Sequence, residues 1–244
     1  MHAPLELSPL LEHDEPGVVH RLIRRVRTES RSKRAALFKT LFRLGPETRL
    51  LDLGGANGAY AHALLADTRV QPANVCVADI EEATVQAATK TFGYAGVVLA
   101  GDGPLPFADR AFDVVLCSSV LEHVTVPATE IWSERSTRAF RRRAIAAQTR
   151  FAAEIRRVGN GHFVQVPYRW FPIETHSWLP FLSYLPRPLQ CRVIAGANRT
   201  WIKKTVPDFY LPTAAEMAGY FPGSRLLREK LCNLTKSLIA VKTI

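Results

Sequence analysis

The pattern that most constrains this chain is a short apolar run, a turn carrying an acid or glycines, and then an amphipathic helical stretch, repeated along the sequence. Residues 49–53, 74–78, 96–100 and 112–118 are the first four apolar runs, and 162–166 is a fifth. Each is too short for a core helix and too uniformly apolar for a strand with one wet face. Helical stretches fall between them at 59–66, 81–91 and 134–157, the last expected to be stopped by Gly159-Asn160-Gly161. Buried strands joined by helices predict an α/β fold, a mainly parallel sheet covered by helices on both faces. Residues 225–231 and 237–243 add two strand candidates, consistent with a C-terminal antiparallel hairpin and seven strands in all.

At 244 residues and 47% hydrophobic content, the chain is long and apolar enough to build one such domain. The four cysteines are scattered, without a CxxC pair or Cys/His cluster, so they read as reduced thiols of a cytoplasmic protein, and no metal site is expected. Residues 1–16 are acidic and proline-rich, which predicts a mobile arm. They fit neither a signal nor a transit peptide, and the mature chain is expected to begin near Met1. No apolar run reaches the roughly 18 residues of a membrane span.

A net charge of +10 permits an acidic partner. The charge concentrates in a helix expected over 17–45, where Glu29 is the single acid between Arg21 and Arg43, and in a second stretch over 135–157. In the first, Val18, Val19, Leu22, Ile23, Val26, Leu37, Phe38, Leu41 and Phe42 recur at helical spacing, and Gly45-Pro46 stops it. Such charge runs are usually solvated helix faces. A basic helix with an apolar stripe also suits peripheral contact with an anionic membrane, here the inner face.

Ligands of open α/β sheets bind beyond the carboxyl ends of the strands, which directs attention to the loops there. The first is Asp52-Leu53-Gly54-Gly55-Ala56-Asn57-Gly58. Its glycines allow close backbone approach, but a tight strand-to-helix turn needs glycine whatever it binds. Asp52 is more telling: a carboxylate there would repel a pyrophosphate and attract an ammonium. The GxGxxG spacing of dinucleotide sites is also absent. Asp79, at the end of the second strand, suits two ribose hydroxyls. Asp102, in Gly101-Asp102-Gly103, can accept from an adenine amine, although a loop Asp can equally cap a turn.

These residues, with Asp79-Ile80, Gly101–Phe107, Phe112-Asp113-Val114-Val115 and Ser118-Ser119-Val120-Leu121-Glu122-His123-Val124, resemble the class I methyltransferases, specifically the type 11 family. The resemblance covers about residues 47–166. It implies a Rossmann-like methyltransferase fold and S-adenosyl-L-methionine as methyl donor, with S-adenosyl-L-homocysteine as product. Methionine is implied near Asp52, Gly54, Gly55, Ala56, Asn57 and Gly58, ribose at Asp79 beside Ile80, and adenine near Asp102 and Gly103. Ser118 belongs to the implied cofactor set. Ala56 departs from the family pattern, which often has a second glycine there, and should narrow the backbone's approach slightly.

On the acceptor side, His123 is a candidate general base, although the family carries its Leu-Glu-His element across many acceptor chemistries, which favours a structural role. Residues 165–176 follow the fifth strand and resemble a Phe-Pro-Ile-Glu-x-His element of some type 11 enzymes. Glu174 and His176 there could bind or deprotonate an acceptor hydroxyl, or simply pin the loop. Trp170, Phe171, Trp178, Phe181 and Tyr184 suit a sugar ring, an aromatic ring or an isoprenoid tail, or close a small core of their own.

The expected organisation is therefore an arm at 1–16 and a single domain at 17–244, comprising the basic helix (17–45), a cofactor-binding core (47–166), an acceptor-side insertion (167–212) and terminal strands (213–244). The expected activity is O-methylation of a small-molecule, glycan or lipid-linked acceptor. The alternatives are an RNA methyltransferase, disfavoured because no RNA-binding module or interleaved aromatics accompany the basic runs, and a non-catalytic cofactor-binding module.

Overall fold

The computed structural model describes residues 18–101 and 103–243. The arm expected at 1–16 and Asp102 lie outside the described residues, as do the side chains of Val18, Val19, Leu22 and Ile23. In chain order the elements are α1 (Val18–Leu41), β1 (Leu50–Leu53), α2 (Ala59–Leu65), β2 (Val75–Asp79), α3 (Glu82–Phe92), β3 (Ala95–Val98) and β4 (Phe112–Ser118). Then follow α4 (Thr137–Val158), β5 (Gly159–Pro167), α5 (Arg187–Thr200), α6 (Ala214–Tyr220), β6 (Arg225–Leu231) and β7 (Leu234–Lys242).

The seven strands form one sheet in the order β3-β2-β1-β4-β5-β7-β6. Strands β1 to β5 pair in parallel, and β7 runs antiparallel to both β5 and β6. Because side chains alternate across a strand, one strand feeds two cores. Leu50, Val114, Leu116 and Phe163 pack with Phe38 of α1, Phe42 just beyond it and Leu64 of α2. Leu51, Leu53, Val115 and Cys117 pack on the other side with Ile155 of α4 and Met217 and Tyr220 of α6. Strand order reverses between β1 and β4, so the loops after these strands diverge and open the crevice.

Several boundaries depart from the sequence reading, each for a physical reason. Gly159-Asn160-Gly161 reads in sequence as a helix stop, yet it opens β5, with Gly159 opposite Phe112 and Gly161 opposite Val114. A Cβ on Gly159 would stand 2.6 Å from a Val115 methyl, so glycine there serves close strand approach rather than a turn. The insertion contains α5, which the prolines obscured: Pro188 sits in the first turn, where its missing N–H costs nothing. Helix α6 carries a capping box, with Thr213 accepting from Glu216 N–H and Glu216 accepting from Thr213 N–H. Strand β7 begins earlier than expected because Cys232-Asn233, both at positive φ, form a tight two-residue hairpin turn.

Candidate active site

The loop after β1 folds back over its own strand. Gly54 has φ 71°, and a Cβ there would fall 2.4 Å from a Val120 methyl, so only glycine fits between β1 and the loop after β4. A Cβ on Gly55 would lie 2.2 Å from Asp52 Oδ2, so this carboxylate stands directly against the glycine backbone. Asp52 is 2% exposed, and its Oδ2 lacks a hydrogen-bond partner among the described residues. Burial, helped by the nearby charge of Asp79, pushes its pKa up to about 7. An unpartnered buried carboxylate beside bare backbone is the surrounding that a ligand ammonium would complete.

Asp79 braces the same loop from β2. Its Oδ2 accepts from Ala56 N–H at 2.8 Å and its Oδ1 from Glu81 N–H at 3.2 Å. Two carboxylate oxygens offer about four acceptor directions, so two remain for ribose hydroxyls. Ala56 adopts φ 48°, a left-handed conformation that glycine would take more easily, so its methyl bears on loop strain as well as on backbone approach. Asn57 Oδ1 accepts from Ala59 N–H at 3.2 Å, and Gly58 precedes α2. Ile80 is 70% exposed and Gly103 is also exposed, which leaves apolar surface and exposed backbone where an adenine is expected.

Ser118 ends β4 inside a polar network the sequence did not reveal. Its hydroxyl donates to Gln165 Oε1 at 2.8 Å, and Arg34 of α1 reaches both Ser118 and Gln165. Helix α1 thus caps the crevice next to the implied cofactor set.

The loop after β4 turns through a short 3-10 segment, Leu121–His123, and here the three acceptor-side candidates gather. His123 is partly exposed, and its Nδ1 lies 2.9 Å from Asp208 Oδ2. Its ring meets that of His176 edge-on at 4.7 Å. His176 is stacked on Phe209 at 4.9 Å, with Nδ1 2.6 Å from Glu174 Oε1 and Nε2 3.5 Å from Glu122 Oε1. Burial opposes charge on His176, but the two carboxylates outweigh it and push its pKa up to about 10.

Glu174 is wholly buried and accepts from the N–H groups of His176 and Ser177, the Ser177 hydroxyl and the His176 ring. Burial alone would raise its pKa, yet these bonds hold it below the ordinary glutamate value. Glu174 therefore pins the loop and positions His176. His123 is the reachable member. Sequence reasoning missed Asp208, which lies in the insertion 85 residues from His123 with no local motif to mark it, and it left Glu122 without a role. It also expected no metal site, whereas Glu122, His123 and His176 each offer a ligand atom within 4.8 Å of the others.

Residues 51–160 match the family model described as a methyltransferase domain, in its type 11 form. Among solved structures, a SAM-dependent methyltransferase from Aquifex aeolicus is 15% identical with a TM-score of 0.50, covering 93% of this chain and 98% of its own. One from Mesorhizobium loti is 14% identical with a TM-score of 0.51 over 84% and 94%. Magnesium protoporphyrin IX methyltransferase from Synechocystis, with SAH bound, is 15% identical with a TM-score of 0.51 over 94% and 89%. At these identities the structural likeness is one of fold. Comparison with curated proteins finds no match.

The fold, the loop after β1 and the domain match together define a class I S-adenosylmethionine-dependent methyltransferase. Within that class, residues 51–160 are similar to the type 11 methyltransferase domain, and the methyl donor is S-adenosylmethionine. The orphaned Asp52 carboxylate and the free acceptor directions of Asp79 fit that donor.

Proposed function

We propose that the protein methylates a hydroxyl oxygen on a small-molecule, glycan or lipid-linked acceptor. The observation that carries this reading is the partly exposed His123, held by Asp208 on the loop after β4 beside the buried Glu122–His176–Glu174 group. S-adenosylmethionine, when bound, supplies an electrophilic methyl for in-line displacement. Asp52 would hold its ammonium and Asp79 its ribose hydroxyls. The acceptor hydroxyl must lose a proton as its oxygen attacks, and the centre at His123 is where this chain can withdraw it. Asp208 fixes the His123 ring, while Glu174 fixes His176 and so the wall behind it.

Trp170, Phe181 and Tyr184 support an acceptor with a flat or hydrocarbon part. All three are strongly exposed and meet edge to face, Trp170 with Tyr184 at 5.3 Å and Phe181 with Tyr184 at 5.9 Å. Exposed Arg25, Arg27, Arg31 and Lys33 on α1 support working at the inner face of an anionic membrane, where a lipid-linked acceptor would reside.

The test is methyl-labelled donor offered with glycosides, phenols and polyprenyl-linked sugars, locating the label by mass spectrometry. Label on oxygen is expected, with His123→Ala lowering kcat by about 10²–10⁴-fold and leaving donor affinity near normal. Label on nitrogen or on RNA, or full turnover in His123→Ala, would overturn the reading.

A further inference from the structure

We propose that Nε2 of His123, Nε2 of His176 and the carboxylate of Glu122 form a binding site for one divalent transition cation, with Zn²⁺ as the reference ion. Glu122 is 0% exposed, and neither of its carboxylate oxygens has a hydrogen-bond partner among the described residues. His176 Nε2 stands 3.5 Å from its Oε1. A buried carboxylate whose ionic contact is this long has room for a closer positive partner.

The two histidines are already arranged as ligands. Each has its Nδ1 against a carboxylate, His123 on Asp208 at 2.9 Å and His176 on Glu174 at 2.6 Å. That pairing fixes the ring and tautomer and leaves Nε2 free, the outer-shell arrangement of metal-bound histidines. Two ligand atoms about 2.0–2.1 Å from a tetrahedral ion stand about 3.3 Å apart. The Glu122–His176 separation is close to this, and one ligand atom from each of the three residues lies within 4.8 Å of the others, so His123 needs to close by at most about 1.5 Å. Two imidazoles and one carboxylate suit Zn²⁺, Fe²⁺ or Mn²⁺ over Mg²⁺ or Ca²⁺, and three protein ligands leave a position for an oxygen ligand. Binding replaces the proton between His176 and Glu122 with the ion and releases that proton to solvent, with no change of oxidation state.

The inference deepens the O-methylation reading, on which its role rests: the open position would take the acceptor hydroxyl and lower its pKa so that its proton leaves to solvent as the oxygen accepts the methyl, and His123 would act as a ligand in place of the base. Binding itself can be tested without any acceptor. Chelator-treated full-length protein is titrated with Zn²⁺ by calorimetry and with Co²⁺ by visible absorption, while adenosylhomocysteine binding reports that each variant is folded. One equivalent of Zn²⁺ is expected, with ligand-field bands from Co²⁺. Stoichiometric binding should disappear in Glu122→Gln and His176→Ala, and Asp208→Asn should weaken it about 10–100-fold. Absence of binding in the wild type, or equal affinity in folded Glu122→Gln and Asp208→Asn, overturns the metal site and leaves His123 as a metal-free base. Label found on nitrogen while Zn²⁺ still binds at these residues would instead sink the O-methylation reading and keep the site.

Discussion

Replacing Asp52 with Asn should stabilise the protein and weaken its grip on the donor. The carboxylate is buried with Oδ2 unpartnered, and its pKa is pushed from 3.8 up to about 7. A group whose folded pKa is raised favours the fold when protonated, and that stability is lost as pH rises from about 4 through 7. The full loss is about 4 kcal/mol at pH 8, since a tenfold change in proton affinity is worth about 1.36 kcal/mol. Asparagine keeps the shape without the charge, but leaves an unsatisfied amide costing about 1–3 kcal/mol. The net gain is about 2 kcal/mol, or roughly 4–8 °C in Tm for a chain of this size.

Donor binding should move the other way. Losing a charged partner for the ammonium costs about 1.5–3 kcal/mol, an affinity loss of about 10–100-fold. In the wild type, only about a tenth of Asp52 is ionised at a pH one below its pKa, so adenosylhomocysteine should bind roughly tenfold more weakly at about pH 6 than on its plateau above about pH 8. Urea unfolding at pH 8 and calorimetric titration at pH 6, 7 and 8 measure both effects. The reasoning fails if Asp52→Asn is less stable than wild type at pH 8 and binds adenosylhomocysteine as tightly.

Burial, reinforced by Lys242 and Arg156, lowers the His162 pKa from 6.5 to about 4. The fold therefore holds His162 neutral, and about 3 kcal/mol of stability present above pH 6.5 is lost as pH falls toward 4. Its slope opposes that of Asp52 in the same window, so Asp52→Asn should make the chain more acid-labile between pH 7 and 4; an unchanged denaturation profile would count against both assignments. Asp79→Ala should weaken donor binding by about 1–3 kcal/mol, read by calorimetry, since it removes the ribose acceptor and frees Ala56 N–H. Glu174→Gln breaks a buried charge pair and should cost about 3–5 kcal/mol in urea unfolding, with surviving activity showing a raised acceptor KM more than a lowered kcat. If α1 meets a membrane, the protein should sediment with anionic vesicles and not with neutral ones, and Arg27→Glu with Arg31→Glu should abolish the difference.

The sequence alone determined the parallel strands of this protein and the loops that close them. Periodicity within β1, β2 and β4 and the residues that close them are local properties of contiguous segments, so Asp52, Gly54, Gly55 and Asp79 could be placed before any coordinates. Local rules missed α5, since a proline in the first helical turn and one in a loop look alike without the helix around it. They also misread Gly159, whose reason lies in a neighbouring strand 47 residues earlier, opposite Phe112. The histidine–carboxylate cluster was decided by tertiary structure. His123 acquires Asp208, and His176 acquires Glu122, from segments far apart in the chain, and folding excludes water from Glu122 and Glu174 while leaving His123 reachable. The same Glu-x-His spacing would serve a surface loop as well as a buried one. Which side chains are charged, paired or exposed there follows from which distant elements close over them, and only the packed fold specifies that.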